Sequence, residues 1–168
     1  SLIRINPQAN SVSPDPSTWR SSAAIGGNPG SSDDLTLAGW GALNNVTDPL
    51  ADSDNDGLSA LLEYAIGTDP NTVSNSSGLT VRLVPIEVEG VTDDYFIIDV
   101  KSRIGADDIK RSLQWSNNLT KWDELKVPVR VINSKNNRDG TETISYLIGT
   151  TEQLGLNVYF RGAVSLTP

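Results

Sequence analysis

The stretch YFIIDVKS, Tyr95–Ser102, places Phe96, Ile98 and Val100 on one face of an extended chain, with Asp99 and Lys101 on the other. A period of two is the signature of a strand with one buried face. The same alternation runs through TETISYLIG (141–149), with Ile144, Tyr146 and Ile148 in phase. It recurs in LNVYFRGAVSL (156–166), through Val158, Phe160 and Val164. LTVRLVPIEVE (79–89), RSLQWSN (111–117) and ELKVPVRVIN (124–133) complete the set, the last aligning Val127, Val129 and Val131. Between them lie GVTDD, GADD, SNNLTKWD, NSKNNRDG and GTTEQLG, which are turn chemistry. Successive short strands without an intervening helix predict an antiparallel β-sandwich of the immunoglobulin or fibronectin kind over 79–168.

Upstream the pattern changes. In LSALLEYAIG, Leu58, Leu61, Leu62, Ala65 and Ile66 recur at the spacing of an amphipathic helix, with Gly67 and Pro70 as stop signals. LTLAGWGALNN (35–45) reads as a second short helix capped by Asp34, weakened by Gly39 and Gly41. Residues 1–34 are rich in Ser, Pro, Asn and Gly and read as the end of a preceding β-domain or an ordered linker, with Trp19 as a docking residue. The expected division is therefore 1–34, 35–78 and 79–168.

Charge is unevenly placed. The net charge is −8, and residues 21–81 hold eight acids and no base. The excess argues against a nucleic-acid partner and points to cations. With no Cys and no His, the chain cannot build a Cys–His or Ser–His–Asp nucleophile, nor the usual zinc and iron sites. No apolar run reaches the roughly 18–20 residues of a membrane span. The lack of Met suggests a piece of a longer product.

The acids concentrate in DSDNDGLSALLE, Asp52–Glu63, which fits the calcium-loop pattern D-x-[DN]-x-[DN]-G-x5-E at every specified position. Asp52, Asp54 and Asp56 supply carboxylates, and Gly57 takes a sharp turn at positive φ that brings the Leu58 carbonyl inward. Glu63 closes the shell with two oxygens. Ala60 has no ligand atom, so a water stands at that place. Hard oxygen ligands in this number suit Ca²⁺ better than Mg²⁺. Asp48 and Asp69 are available from the flanks, although Asp69 reads as a turn residue before Pro70. The plainer reading is a solvated acidic turn beside a helix. Ser59 stands where paired loops carry an aliphatic residue and no second loop exists, so the expected role is structural rather than regulatory.

The segment DPLADSDNDGLSALLEYAIGTDPN (48–71) resembles the single calcium loops of thrombospondin type 3 repeats and dockerin-type modules. Taken with LQWSNNLTKW (113–122) and NVYFRGAVSL (157–166), it is similar to the C-terminal region of large exported proteins from planctomycete- and verrucomicrobium-like bacteria. WRSSAAIGGNPGSSDD (19–34) is similar to the end of a lamin-tail-like β-domain. The resemblance implies an exported, non-catalytic terminal module at the cell surface or outside the cell, its partners being upstream domains of the same polypeptide. A calcium-stabilised carbohydrate-binding or adhesion domain, meeting a polysaccharide or surface component, is the alternative.

Two smaller readings bear on it. Trp115 follows Leu113 at strand spacing and reads as core, and Trp122 beside Leu119 as a pin for its turn; a sugar platform is the other possibility. Asp93–Asp94 and Asp107–Asp108 are paired acids in turns, read as solvated rather than catalytic.

Overall fold

The computed structural model describes residues 2–4, 18–27, 35–125, 130–155 and 157–167. The fold is mainly β with antiparallel sheets. Strands β1 (Leu2–Arg4) and β2 (Trp19–Ser21) form a ribbon, followed by helices α1 (Leu37–Asn44) and α2 (Ala60–Ile66). The remainder is β3 (Leu79–Val88), β4 (Val91–Arg103), β5 (Ile109–Ser116), β6 (Asp123–Glu124), β7 (Arg130–Asn136), β8 (Thr141–Thr150), the short helix α3 (Thr151–Leu154) and β9 (Tyr159–Leu166). One sheet has the order β3-β4-β8-β7 and the other β6-β5-β9.

The two sheets face each other. Phe96, Ile98 and Ile148 from the first meet Leu113, Trp115 and Phe160 from the second. The rings of Phe96 and Phe160 lie 5.5 Å apart. Trp115 is thus core, as its spacing predicts. A register shift between Phe96 and Ile97 leaves Ile148 as the extra residue of a bulge in β8, still buried in this core.

Three boundaries differ from the sequence reading. The β3–β4 turn is Glu89–Gly90, both at positive φ (52° and 82°), the two-residue geometry that matches strand twist. Val91–Asp94 therefore extend β4, and Asp93 and Asp94 sit in a strand instead of a turn. The single strand expected over 124–133 is two: β6 joins one sheet and β7 the other. Pro128, with no N–H to give a ladder, falls between them. Val127 and Val129 lie outside the described residues, and Val131 is exposed. Finally, α1 is capped by Thr36, whose Oγ1 accepts from Gly39 N at 3.1 Å; Asp34 lies outside the described residues.

A second core fastens the helices to the sandwich. Leu37 and Trp40 of α1 and Ala60, Tyr64 and Ala65 of α2 pack with Ala106 and Ile109, and Val164 of β9 joins them. β5 and β9 therefore serve both cores, Ile109 and Val164 in one, Leu113 and Phe160 in the other. Tyr64 is fully buried, tilted against Trp40 at 5.4 Å. Burying a side chain of that size contributes about 1.5–3 kcal/mol. The ribbon is held by Arg20, whose Nε lies 2.8 Å from Asp107 Oδ2, while Trp19 stays 42% exposed.

Candidate metal centre

The loop from Asp48 to Ser59 is closed by backbone. Leu61 N donates to Pro49 O at 2.8 Å and Ala60 N to Ala51 O at 2.9 Å. The first amides of α2 are satisfied by these loop carbonyls, so the aspartates are not needed as helix caps. Ser59, the residue before the helix, makes no side-chain cap either.

Inside the loop the carboxylates fold its own backbone. Gly57 N donates to Asp52 Oδ2 at 2.9 Å, Asp56 N to Asp52 Oδ1 at 3.2 Å, and Leu58 N to Asp56 Oδ1 at 2.8 Å. Ser74 N reaches across to Asp56 Oδ2 at 2.9 Å. Two left-handed residues make the curl: Gly57 at φ 92°, as its place in the pattern requires, and Asn55 at φ 62°. Asn tolerates that region better than most residues.

The curl brings one carboxylate oxygen each from Asp52, Asp54 and Asp56 within 4.8 Å of one another. Glu63 is not part of that 4.8 Å group, but it stands close enough to feel the charge of all three. Its burial is complete. Oε1 accepts from Thr68 Oγ1 at 3.3 Å, whereas Oε2 and Asp54 Oδ2 are buried with no hydrogen-bond partner among the described residues. A buried carboxylate oxygen without a partner costs roughly 1–3 kcal/mol or more. Desolvation, with Asp54, Asp56 and Asp52 adding repulsion, pushes the Glu63 carboxyl up to about 7. Burial and the neighbouring carboxylates likewise raise that of Asp54.

The two flanking acids are turn residues. Asp48 Oδ1 accepts from Leu50 N at 2.9 Å, and Asp69 Oδ1 from Asn71 N at 3.0 Å. Neither belongs to the cluster. Leu58, assigned a carbonyl role by its position, turns its side chain to a cleft beside α2.

The helix after the loop is anchored differently from its apolar stripe. Leu61 and Leu62 are only half-buried, and the tight contacts are made by Ala60, Tyr64 and Ala65. Tyr64 Oη donates to Asp108 Oδ1 at 2.7 Å and also contacts Leu35 O. Burial and these partners push its phenol far above the usual range. Asp108 also receives Leu37 N at 2.7 Å. The α2 carbonyls are met by cations from the sandwich: Arg103 Nε to Tyr64 O at 2.8 Å and Arg111 Nη2 to Ala65 O at 3.4 Å. Sequence reading missed Tyr64, Arg103, Arg111 and Asp108 as a set; only the aromatic inside a helical stripe hinted at it.

The remaining candidates resolve into structure. Asp107 and Asp108 are engaged by Arg20 and Tyr64. Asp93 and Asp94 are consecutive strand residues and point to opposite faces. Trp122 Nε1 donates to Leu119 O at 3.3 Å, pinning its turn, and Arg161 lies 4.2 Å over its ring. Among the described residues no helix is long and apolar enough to cross a membrane. No protein-family model, curated protein or solved structure matches the chain.

Proposed function

We propose that this chain is a non-catalytic, calcium-stabilised structural module of a large exported bacterial protein. Asp52, Asp54, Asp56, Glu63 and the Leu58 carbonyl are its metal ligands, and the ion fixes the loop–helix unit on the sandwich. The observation that carries the reading is the fully buried Glu63, with an unpartnered Oε2, beside three converging aspartates. A divalent cation supplies what those oxygens lack and removes their mutual repulsion. Because the unfolded chain has no such site, the binding energy becomes folding energy, about 2.7 kcal/mol at a hundredfold excess of ion over Kd.

The structural role follows from what α2 does. Glu63 lies one residue from Tyr64, the anchor of the helical core, so ordering the loop orders that anchor. A non-catalytic role is supported by the engagement of Asp107 with Arg20 and of Asp108 with Tyr64, and by Asp93 and Asp94 pointing to opposite strand faces. The upstream domains and the extracellular setting rest on the resemblance of 48–71 and 157–166. Arg161 over the Trp122 ring disfavours the carbohydrate alternative. The test is thermal melting in chelator and in millimolar calcium. Calcium raises Tm in the wild type and leaves Asp52→Ala unchanged; equal wild-type curves would count against the reading.

A further inference from the structure

A cleft of about 520 Å³ lies between α2 and the two sheets, with Leu62 and Ile66 on the helix side and Leu113 and Phe160 on the strand side. Voids much larger than one water are rare in protein interiors, whereas small-molecule sites span roughly 300–1,000 Å³ with apolar walls and a few polar groups. Leu62 of α2 and Leu58, two residues before that helix, line this space and are half-buried.

Of the three cations that line the cleft, Arg111 is the one without a side-chain hydrogen-bond or ion-pair partner among the described residues. Lys101 and Arg161 also line it, but Lys101 pairs with Asp139 and Arg161 is bound to Gln114 and the Trp122 ring. Arg111 has no carboxylate in any ion pair among the described residues. Its guanidinium donates to three backbone carbonyls, Arg103 O at 3.2 Å, Ala65 O at 3.4 Å and Ala106 O at 3.5 Å. Solvent reaches it, yet protein crowds it enough to disfavour its charge. Arg111 is thus an exposed cation on the wall of the cleft. Tyr146 lines the same cleft within electrostatic range of Arg111, as do the carboxylates of Asp107 and Glu142 from outside its lining, and Glu124 stands on the cleft wall.

We propose that the cleft binds a small apolar molecule bearing a carboxylate, its anion on Arg111 beside Tyr146 and its hydrocarbon against Leu62, Ile66, Leu113 and Phe160. A guanidinium fork matches a carboxylate with two parallel hydrogen bonds, and apolar walls take the chain. In a protein of net charge −8 only a local cation can draw an anion in.

The experiment is calorimetric titration of the full chain with decanoate, decanol and decylamine, in millimolar calcium and again in chelator. This separates it from the metal reading, which is scored with Ca²⁺ and without any of these probes. Decanoate binds at one site, decylamine does not, and decanol binds more weakly. Arg111→Gln weakens decanoate about tenfold or more and leaves decanol unchanged. Leu62→Trp, which fills the cleft without touching the cation, abolishes both; it keeps the test decisive if Arg111→Gln fails to fold. Absence of decanoate binding up to millimolar, or equal binding of all three probes, would overturn the proposal. So would a concentration-dependent dimer dispersed by decanol, which would assign the cleft to a second copy.

Discussion

Arg103 donates through Nε to the carbonyl of Tyr64 at 2.8 Å, so the last turn of α2 is closed by a cation from the far end of β4. The helix has no basic residue in its own last turn, and its unpaired carbonyls carry partial negative charge. The same guanidinium lies 5.7 Å from the ring centres of both Trp40 and Tyr64. The sandwich therefore holds the helical unit by charge as well as by packing.

Arg103→Gln should destabilise the protein by about 1–2 kcal/mol, from the lost helix-end charge and the lost ring contacts. Denaturant unfolding in calcium measures it. Arg82→Gln is the control: its ion pair with Asp99 at 3.0 Å is on the surface, and its loss should cost well under about 1 kcal/mol.

Glu63→Gln should act with opposite signs in the two conditions. In chelator it removes a buried charge held against three others and should raise stability, by roughly 1–3 kcal/mol near neutral pH. In calcium it removes a ligand and should erase most of the ion-dependent rise in Tm. Paired melts of the variant and the wild type check both halves.

The pH dependence of the metal-free protein follows from the same group. Glu63 binds its proton more tightly folded than unfolded, its carboxyl rising from 4.5 to about 7. Its contribution to stability is then complete below pH 4.5 and is lost as pH climbs through 7. Melts in chelator from pH 5 to 8 should show Tm falling in the wild type and the slope flattening in Glu63→Gln.

Gly67→Ala should cost roughly 1–3 kcal/mol. Gly67 ends α2 at φ 79°, and an added Cβ would stand 2.4 Å from Thr141 Cγ2. Thr141→Ser removes the methyl in the way and should restore part of the loss, leaving the backbone strain. Denaturant midpoints of the single and double variants read the difference.

These residues also show what sequence could carry. The alternation of Phe96 with Ile98, and of Tyr146 with Ile148, announced the sandwich because a strand's facing is a local, period-two property. Asp52, Asp54, Asp56 and the positive φ of Gly57 were legible for a similar reason: spacing alone converges them. Arg103 and Tyr64 are 39 residues apart, and Arg111 and Ala65 are 46, so no window of sequence holds both partners. The split of 124–133 between two sheets was hidden by its valine rhythm, which a continuous strand would share. The leucines of α2 read as its buried face, yet the tightest packing fell to Tyr64, whose hydroxyl finds Asp108 only in the fold.

The most direct measurement is calorimetric titration of the metal-free chain with Ca²⁺ near neutral pH, alongside Asp54→Asn. One saturable site per chain, proton release on binding from the Glu63 carboxyl, and loss of the signal in the variant are the results predicted. Heats no larger than dilution, or an isotherm unchanged by Asp54→Asn, would contradict a metal centre at this loop.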